Sequence, residues 1–286
     1  MKRIILFLLT NLAIMFVLSI VLGLLSTQLG LDPTGIGAVV LFALVFGMGG
    51  ALISLAMSKF IAKRSTGAQV IKDPRSDTEH WLINTVRELA STANIGMPEV
   101  AVYRGAPNAF ATGATRNNSL VAVSDQLMQN MTRAEVRAVL AHEVGHIASG
   151  DMVTMTLLQG VMNTLVLLLA RIIGVTVDKA VFGTRDGRGI GYFITYIVMQ
   201  LVLGILASIV VMGFSRRREF AADATAAKLL GSPRDMIAAL QRLGSLEPGA
   251  LPQSMKAFGI TGAPKWAALF ASHPPLEKRI ERLERA

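Results

Sequence analysis

Four stretches of this chain, residues 4–25, 35–57, 152–170 and 190–213, contain no charged side chain, and the shortest of them has nineteen residues. A helix rises 1.5 Å per residue, so each is long enough to cross the roughly 30 Å hydrocarbon core of a bilayer. In hydrocarbon every backbone N–H and C=O must be satisfied within the protein, which for isolated apolar runs means a helix. Only 16% of the 286 residues are charged and 52% are hydrophobic. Soluble domains carry about 25% charged residues, so an aqueous globule does not describe the whole chain.

The first run follows Lys2 and Arg3. It is too long for the apolar part of a secretory leader and no small-x-small cleavage site follows it, so a retained anchor is expected. Residues 26–34, with Asp32 as their one charge, join it to the second run. Lys59, Lys63 and Arg64 lie beyond that pair, and the bias of basic flanks puts both ends of this first hairpin in the cytoplasm. The third and fourth runs form a second hairpin around a loop at 171–189, followed by Arg216, Arg217 and Arg218. That loop carries Arg171, Lys179, Arg185 and Arg188 although the hairpin places it outside. Arg171 can snorkel to the interface; the other three pull against a full crossing. The formal net charge of +9 is accounted for by such flanks rather than by nucleic acid. With no cysteine, disulfides, thiolate metal sites and a cysteine nucleophile are excluded.

Between the hairpins the composition turns soluble. Trp81, Leu82, Val86 and Leu89 recur at helical spacing over residues 77–92. Strands are expected at 99–104, 109–113 and 119–124, the last two joined through Asn117 and Asn118 as a hairpin. Thr132 and Glu135 form a capping box that opens a helix toward Gly150. After the second hairpin, Gly231 ends one helix and Ser232-Pro233 supplies an N-cap and first-turn proline for the next. Residues 248–264 read as a mobile loop, and a last helix follows Pro274-Pro275. The expected architecture is an integral membrane protein, mainly α with a small β-sheet. Its parts are a transmembrane hairpin (1–58), a cytoplasmic catalytic segment (59–151), a second hairpin (152–214) and a C-terminal cytoplasmic catalytic segment (215–286).

Two of the four histidines fall in His142-Glu143-Val144-Gly145-His146. On a helix, residues four apart share a face, so both rings can direct a nitrogen at one Zn²⁺, with Glu143 beside it to take a proton from water. A catalytic zinc takes three protein ligands and keeps one position open. The third ligand must come from elsewhere, and His80, Asp151, Glu219, Asp223 and His273 are candidates. Glu219 and Asp223 stand four apart on a helical stretch. One of them can bind metal while the other fixes a ligand histidine's tautomer.

These residues in this order, with Gly150-Asp151, Arg218, Asn108 to Gly113 and Ser272-His273-Pro274-Pro275 through Arg279, resemble the HtpX family of bacterial inner-membrane zinc metalloproteases, which are related to the prenyl-protein zinc proteases. The resemblance covers essentially the whole chain. It implies a zincin-like catalytic domain at the cytoplasmic face, one Zn²⁺ on His142, His146 and Glu219, and Glu143 as general base. Asp223 would orient a ligand histidine. His273 and Arg279 would stand near the scissile group and help hold the oxyanion. Asn108, Ala109, Phe110 and Ala111 would form an edge strand that receives substrate as an added strand. The implied role is hydrolysis of misfolded or unassembled membrane proteins in quality control under stress, with self-cleavage expected of an unselective protease. Nothing in the chain points to a prenylated substrate.

The order of elements is compatible with this reading, because His142 precedes the second hairpin and Glu219 follows it. A hairpin returns the chain to the side it left, whereas a single extra span would separate the ligands. Three other readings fit less well. Arg133, Glu135 and Arg137 on the motif's helix argue against a site buried within the bilayer. Gln159, Asn163 and Gln200 are polar positions within spans, but uncharged amides there more often bridge helices than line a pathway. A metal scaffold without turnover would not need Glu143.

Overall fold

The computed structural model describes residues 2–32, 35–185, 187, 189–246 and 267–285. The loop expected at 248–264 and Arg188 lie outside them. The chain divides into two compact units, Met1–Leu55 with Met155–Val211 and Ala56–Thr154 with Met212–Ala286.

The first unit is helical. Helix α1 (Lys2–Gln28) is followed by α2 (Ile36–Leu44), which passes through a π-helical turn at Val45–Gly49 into α3 (Gly50–Ala56). Residues 155–182 of α8 (Asp151–Phe182) and 190–211 of α9 (Ile190–Leu230) supply the remainder, and the other ends of both helices belong to the second unit. Among the described residues, three helical stretches are long and apolar enough to cross a membrane, Ile36–Ala56, α8 and α9, and Ala13–Gln28 of α1 is a shorter apolar stretch. Where no hydrophobic effect drives helices together, small residues that let backbones approach do so. A Cβ at Gly47 would lie 2.6 Å from the Thr164 Cα, and one at Gly160 would lie 3.3 Å from the Met48 Cα. The π-helical turn sits at this crossing.

The loop expected from residue 171 begins later. Helix α8 continues through Arg171 to Phe182, because residues 171–182 contain no proline and only Gly174 to weaken the helix. The chain turns instead at Gly183 and Gly187, both with positive φ. Asp178 of α8 explains the turn: it accepts hydrogen bonds from Thr184 Oγ1 at 2.6 Å, Gly189 N at 2.7 Å and Tyr192 N at 3.1 Å. It thereby caps the otherwise unpaired N–H groups that open α9. Arg171 lies 4.9 Å above the Phe42 ring, a cation–π contact.

The second unit holds a four-stranded sheet in the order β1-β2-β4-β3, built from β1 (Gln69–Val70), β2 (Glu99–Tyr103), β3 (Ala109–Thr115) and β4 (Asn118–Ser124). Strands β2 and β4 run parallel; the other two pairings are antiparallel. Short helices α4 (Ser58–Thr66) and α6 (Asp125–Asn130), and the two-residue β1, lack the periodicity that would announce them in sequence. Helices α5 (Asp77–Thr92) and α7 (Arg133–Ser149) both open on capping boxes, at Ser76/Glu79 and Thr132/Glu135. Leu82, Val86 and Leu89 of α5, Val121 and Val123 of β4, and Val136, Leu140 and Val144 of α7 share one buried core. Met236 and Leu240 of α10 (Arg234–Ser245) and Leu283 of α11 (Leu276–Glu284) complete it. Helix α10 starts one residue later than its proline suggests: Pro233 is the N-cap, and Ser232 Oγ accepts from Arg234 N at 3.2 Å.

The contact at Gly47 yields a test. Gly47→Leu must push α8 away or strain the π-helical turn, an overpacking that costs about 1–3 kcal/mol. The detergent-solubilised variant is expected to melt below wild type, and an unchanged melting temperature would show that this close approach does not hold the helices together.

Candidate active site

Helices α7 and α9 approach closely at Gly145. A Cβ there would lie 3.2 Å from the Ala222 carbonyl oxygen and 3.3 Å from the Thr225 Cβ. Gly145 stands between the two histidines of α7, and Ala222 stands between Glu219 and Asp223 of α9. One small residue on each helix therefore brings two pairs of side chains, each spaced by four, face to face. Ligand atoms of His142, His146 and Glu219 all fall within 4.8 Å of one another, as a group able to hold a metal ion.

Each ring is held from behind by a carboxylate. His142 Nδ1 is 2.9 Å from Asp223 Oδ1, and His146 Nδ1 is 2.7 Å from Asp151 Oδ2. An ionised carboxylate only accepts, so each Nδ1 carries a proton, and a ring in its neutral form then turns its Nε2 lone pair inward. The two Nε2 atoms are 3.1 Å apart, and Glu219 oxygens lie 3.4 Å from His146 Nε2 and 3.6 Å from His142 Nε2. Three lone-pair donors crowded together repel unless protons or a cation stand among them. Two ligands about 2.0–2.1 Å from a tetrahedral ion lie roughly 3.3 Å apart, so the residues present fit a metal. Glu219 Oε2 points the same way. It is buried with no hydrogen bond of acceptable geometry, although His273 Nδ1 is 2.8 Å and Arg279 Nη1 3.5 Å away.

Protonation follows from this arrangement. Burial disfavours the charged form of His142, but the Asp223 and Glu219 carboxylates outweigh it and raise its pKa. Burial likewise opposes charge on His146, yet Asp151 and Glu219 push its pKa up to about 10. Glu143 is governed by its own burial, which lifts it above the usual carboxylate range against the pull of His142 and His146. Burial would also lift Glu219 and Asp223. The histidines around Glu219, and Arg279 and His142 beside Asp223, nevertheless hold both well below that range. Arg279 grips Asp223 with two bonds, Nε to Oδ2 at 2.8 Å and Nη2 to Oδ1 at 2.6 Å.

Strand β3 is the edge of the sheet nearest Glu143. Ser124 N donates to Asn108 O at 2.9 Å, and Phe110 pairs with Ala122 in the same register. Alternation along an antiparallel pair then turns the backbone groups of Ala109, Ala111 and Gly113 away from β4. The Ala111 N–H favours charge on Glu143. A cavity of about 360 Å³ lies between β3 and the histidines and reaches His273 and Arg279. His273 keeps 65% of its side chain exposed.

Of the five candidates for a third ligand, only Glu219 joins the histidine cluster among the described residues. Asp223 and Asp151 stand behind the rings, and His80 lines a separate cavity beside β1 and β2. Sequence reasoning missed that Asp151 serves His146 and that Arg218 pairs with Asp151. The signal was Gly150: in the left-handed region at φ 70° it ends α7 and turns the next residue back toward His146.

Residues 76–286 match the model for peptidase family M48. Proteins described as protease HtpX homolog are similar over nearly their whole length. Those of Herminiimonas arsenicoxydans and Janthinobacterium sp. (strain Marseille) are each 57% identical, over 290 and 286 residues, covering 99% of this chain and 99% of theirs. That of Bordetella avium is 56% identical over 288 residues, covering 99% of this chain and 98% of its own. The crystal structure of S. mikatae Ste24p shares the fold, with a TM-score of 0.65 at 20% identity, over 99% of this chain and 66% of that one. This chain spans just under two thirds of that protein's length. The apolar helices, the metal-capable cluster and these relatives together identify a membrane metalloprotease: the chain belongs to the HtpX family within peptidase family M48.

Proposed function

We propose that the chain is a zinc endopeptidase of the inner membrane, anchored by two transmembrane hairpins with its catalytic segments in the cytoplasm, that hydrolyses misfolded or unassembled membrane proteins during stress. The observation that carries this reading is the convergence of His142, His146 and Glu219 within 4.8 Å, with Glu143 between the histidines in sequence. These three residues would hold the metal. Zinc there would supply Lewis acidity, polarising the scissile carbonyl and making a nearby water more acidic.

Glu143 accepts the proton of the attacking water and returns it to the leaving amine. Its raised pKa suits both tasks, because a carboxylate nearer neutrality gains and releases a proton more evenly. Substrate adds as a strand along β3, taking the outward groups of Ala109 and the outward carbonyl of Ala111 and lying against Asn108 and Phe110. That mode reads backbone rather than side chains, which supports loose specificity and self-cleavage. His273 donates to the developing oxyanion; its exposed ring at the edge of the cavity beside Glu143 supports that role. Arg279 holds Asp223 while its Nη1 adds positive charge beside Glu219. Basic flanks and charge-free runs support the topology and the bilayer as a partner.

Three variants separate these roles. Glu143→Ala is expected to bind zinc as wild type does while cleavage of an unfolded protein falls at least 10²-fold; undiminished cleavage would remove it as the base. Glu219→Ala should lower zinc content, measured by elemental analysis after purification, and full occupancy would strike Glu219 from the ligands. Ala109→Pro removes an outward N–H at a position where an edge strand tolerates proline, and leaves the Ala111 N–H beside Glu143 in place. Zinc should stay bound while kcat/KM falls about tenfold, the cost of one hydrogen bond of ~1.4 kcal/mol, and an unchanged kcat/KM would rule out strand addition there.

A further inference from the structure

We infer that Asp151 and Arg218 form a positioning pair that holds His146 in its metal-binding tautomer, as Asp223 and Arg279 do for His142. The inference rests on His146 being a ligand. Asp151 is 5% exposed, and its two oxygens face different partners. Oδ2 lies 2.7 Å from His146 Nδ1, while Oδ1 forms an ion pair with Arg218 Nη2. The contact falls on the far side of the ring from Nε2, so Asp151 serves the ring rather than the metal.

A neutral imidazole has two tautomers, and only one of them turns a lone pair inward. An acceptor fixed at Nδ1 selects it. Without Asp151 the ring can place its Nε2 proton against Glu219 and against His142 Nε2, 3.4 Å and 3.1 Å away. Asp151 is itself held twice. It is the first residue of α8, where the positive end of the helix dipole favours a carboxylate, and Arg218 supplies a full charge. Arg218 immediately precedes Glu219. Consecutive residues of α9 therefore provide one ligand and the clamp on another ligand's partner. A shift of α9 would disturb both together.

The same pattern occurs at His142, where the guanidinium of Arg279 grips Asp223 in bidentate fashion. At His146 the clamp is a single ion pair from an arginine whose side chain is 27% exposed. The pair at His146 is the more open of the two.

The test is zinc affinity of the full chain in detergent, measured by competition with a chromophoric chelator, together with melting of the metal-free protein. Asp151→Asn and Arg218→Gln are each expected to weaken zinc binding by 10–100-fold. Because Arg218 acts through Asp151, the double variant should bind no more weakly than Asp151→Asn. Arg218→Lys, a point charge without the guanidinium fork, should fall between Arg218→Gln and wild type. A purely structural pair would lower the melting temperature and leave zinc affinity unchanged, which overturns the inference. So would losses that multiply in the double variant. Should Asp151→Asn fail to fold, Arg218→Gln decides alone: tenfold weaker binding supports the pair and wild-type affinity overturns it. His146→Ala separates the two levels. Wild-type zinc binding there would refute His146 as a ligand, whereas loss of zinc there with none in the other variants refutes only the positioning pair.

Discussion

A side chain larger than hydrogen at residue 145 would meet the Ala222 carbonyl oxygen and the Thr225 side chain, and the active site depends on that restriction. Helix α7 carries the histidines and α9 the acids. Since i and i+4 share a helix face, one close approach between two helices sets four side chains at once. The buried core beneath α7, from Leu82 to Leu240, keeps that helix from yielding. Rigid elements rather than loops therefore fix the geometry of this metal-capable cluster, the condition under which a metal site would hold its shape.

Charge explains why so polar a cluster survives burial. Glu143, Glu219, Asp151 and Asp223 bring four negative charges, and Arg218 and Arg279 return two. The two carboxylates left over favour a proton on each histidine, and both imidazole pKa values are raised. A divalent cation meets those two charges equally well and frees the Nε2 lone pairs. Metal and protons thus compete for one place. The arginines are committed elsewhere: Arg218 lies against Asp151, and Arg279 makes two bonds to Asp223 while only its Nη1 reaches toward Glu219, at 3.5 Å.

Much of this architecture is legible in the amino-acid sequence. Charge-free runs announce helices because length and polarity alone decide them, and Ser76/Glu79 and Thr132/Glu135 mark helix starts by local chemistry. The histidines declare themselves by spacing. The edge position of β3 is implied only by resemblance, since strand order depends on long-range pairing. Asp151 stands among the ligand candidates, but nothing in its spacing tells that it faces Nδ1 rather than the metal. That outcome depends on the φ of Gly150. Helix α8 runs past its apolar stretch because Asp178, a charged residue suggesting loop, caps the next helix instead. Charge marks where a segment leaves hydrocarbon, not where its helix ends.

The central claim is that one metal is held by two imidazoles and one carboxylate. X-ray absorption at the zinc edge of the zinc-loaded, full-length protein tests it most directly. The expected result is a four-coordinate shell with two imidazole nitrogens and the rest oxygen. A third imidazole, which would bring His273 in for Glu219, or a six-coordinate shell of oxygen alone would contradict it.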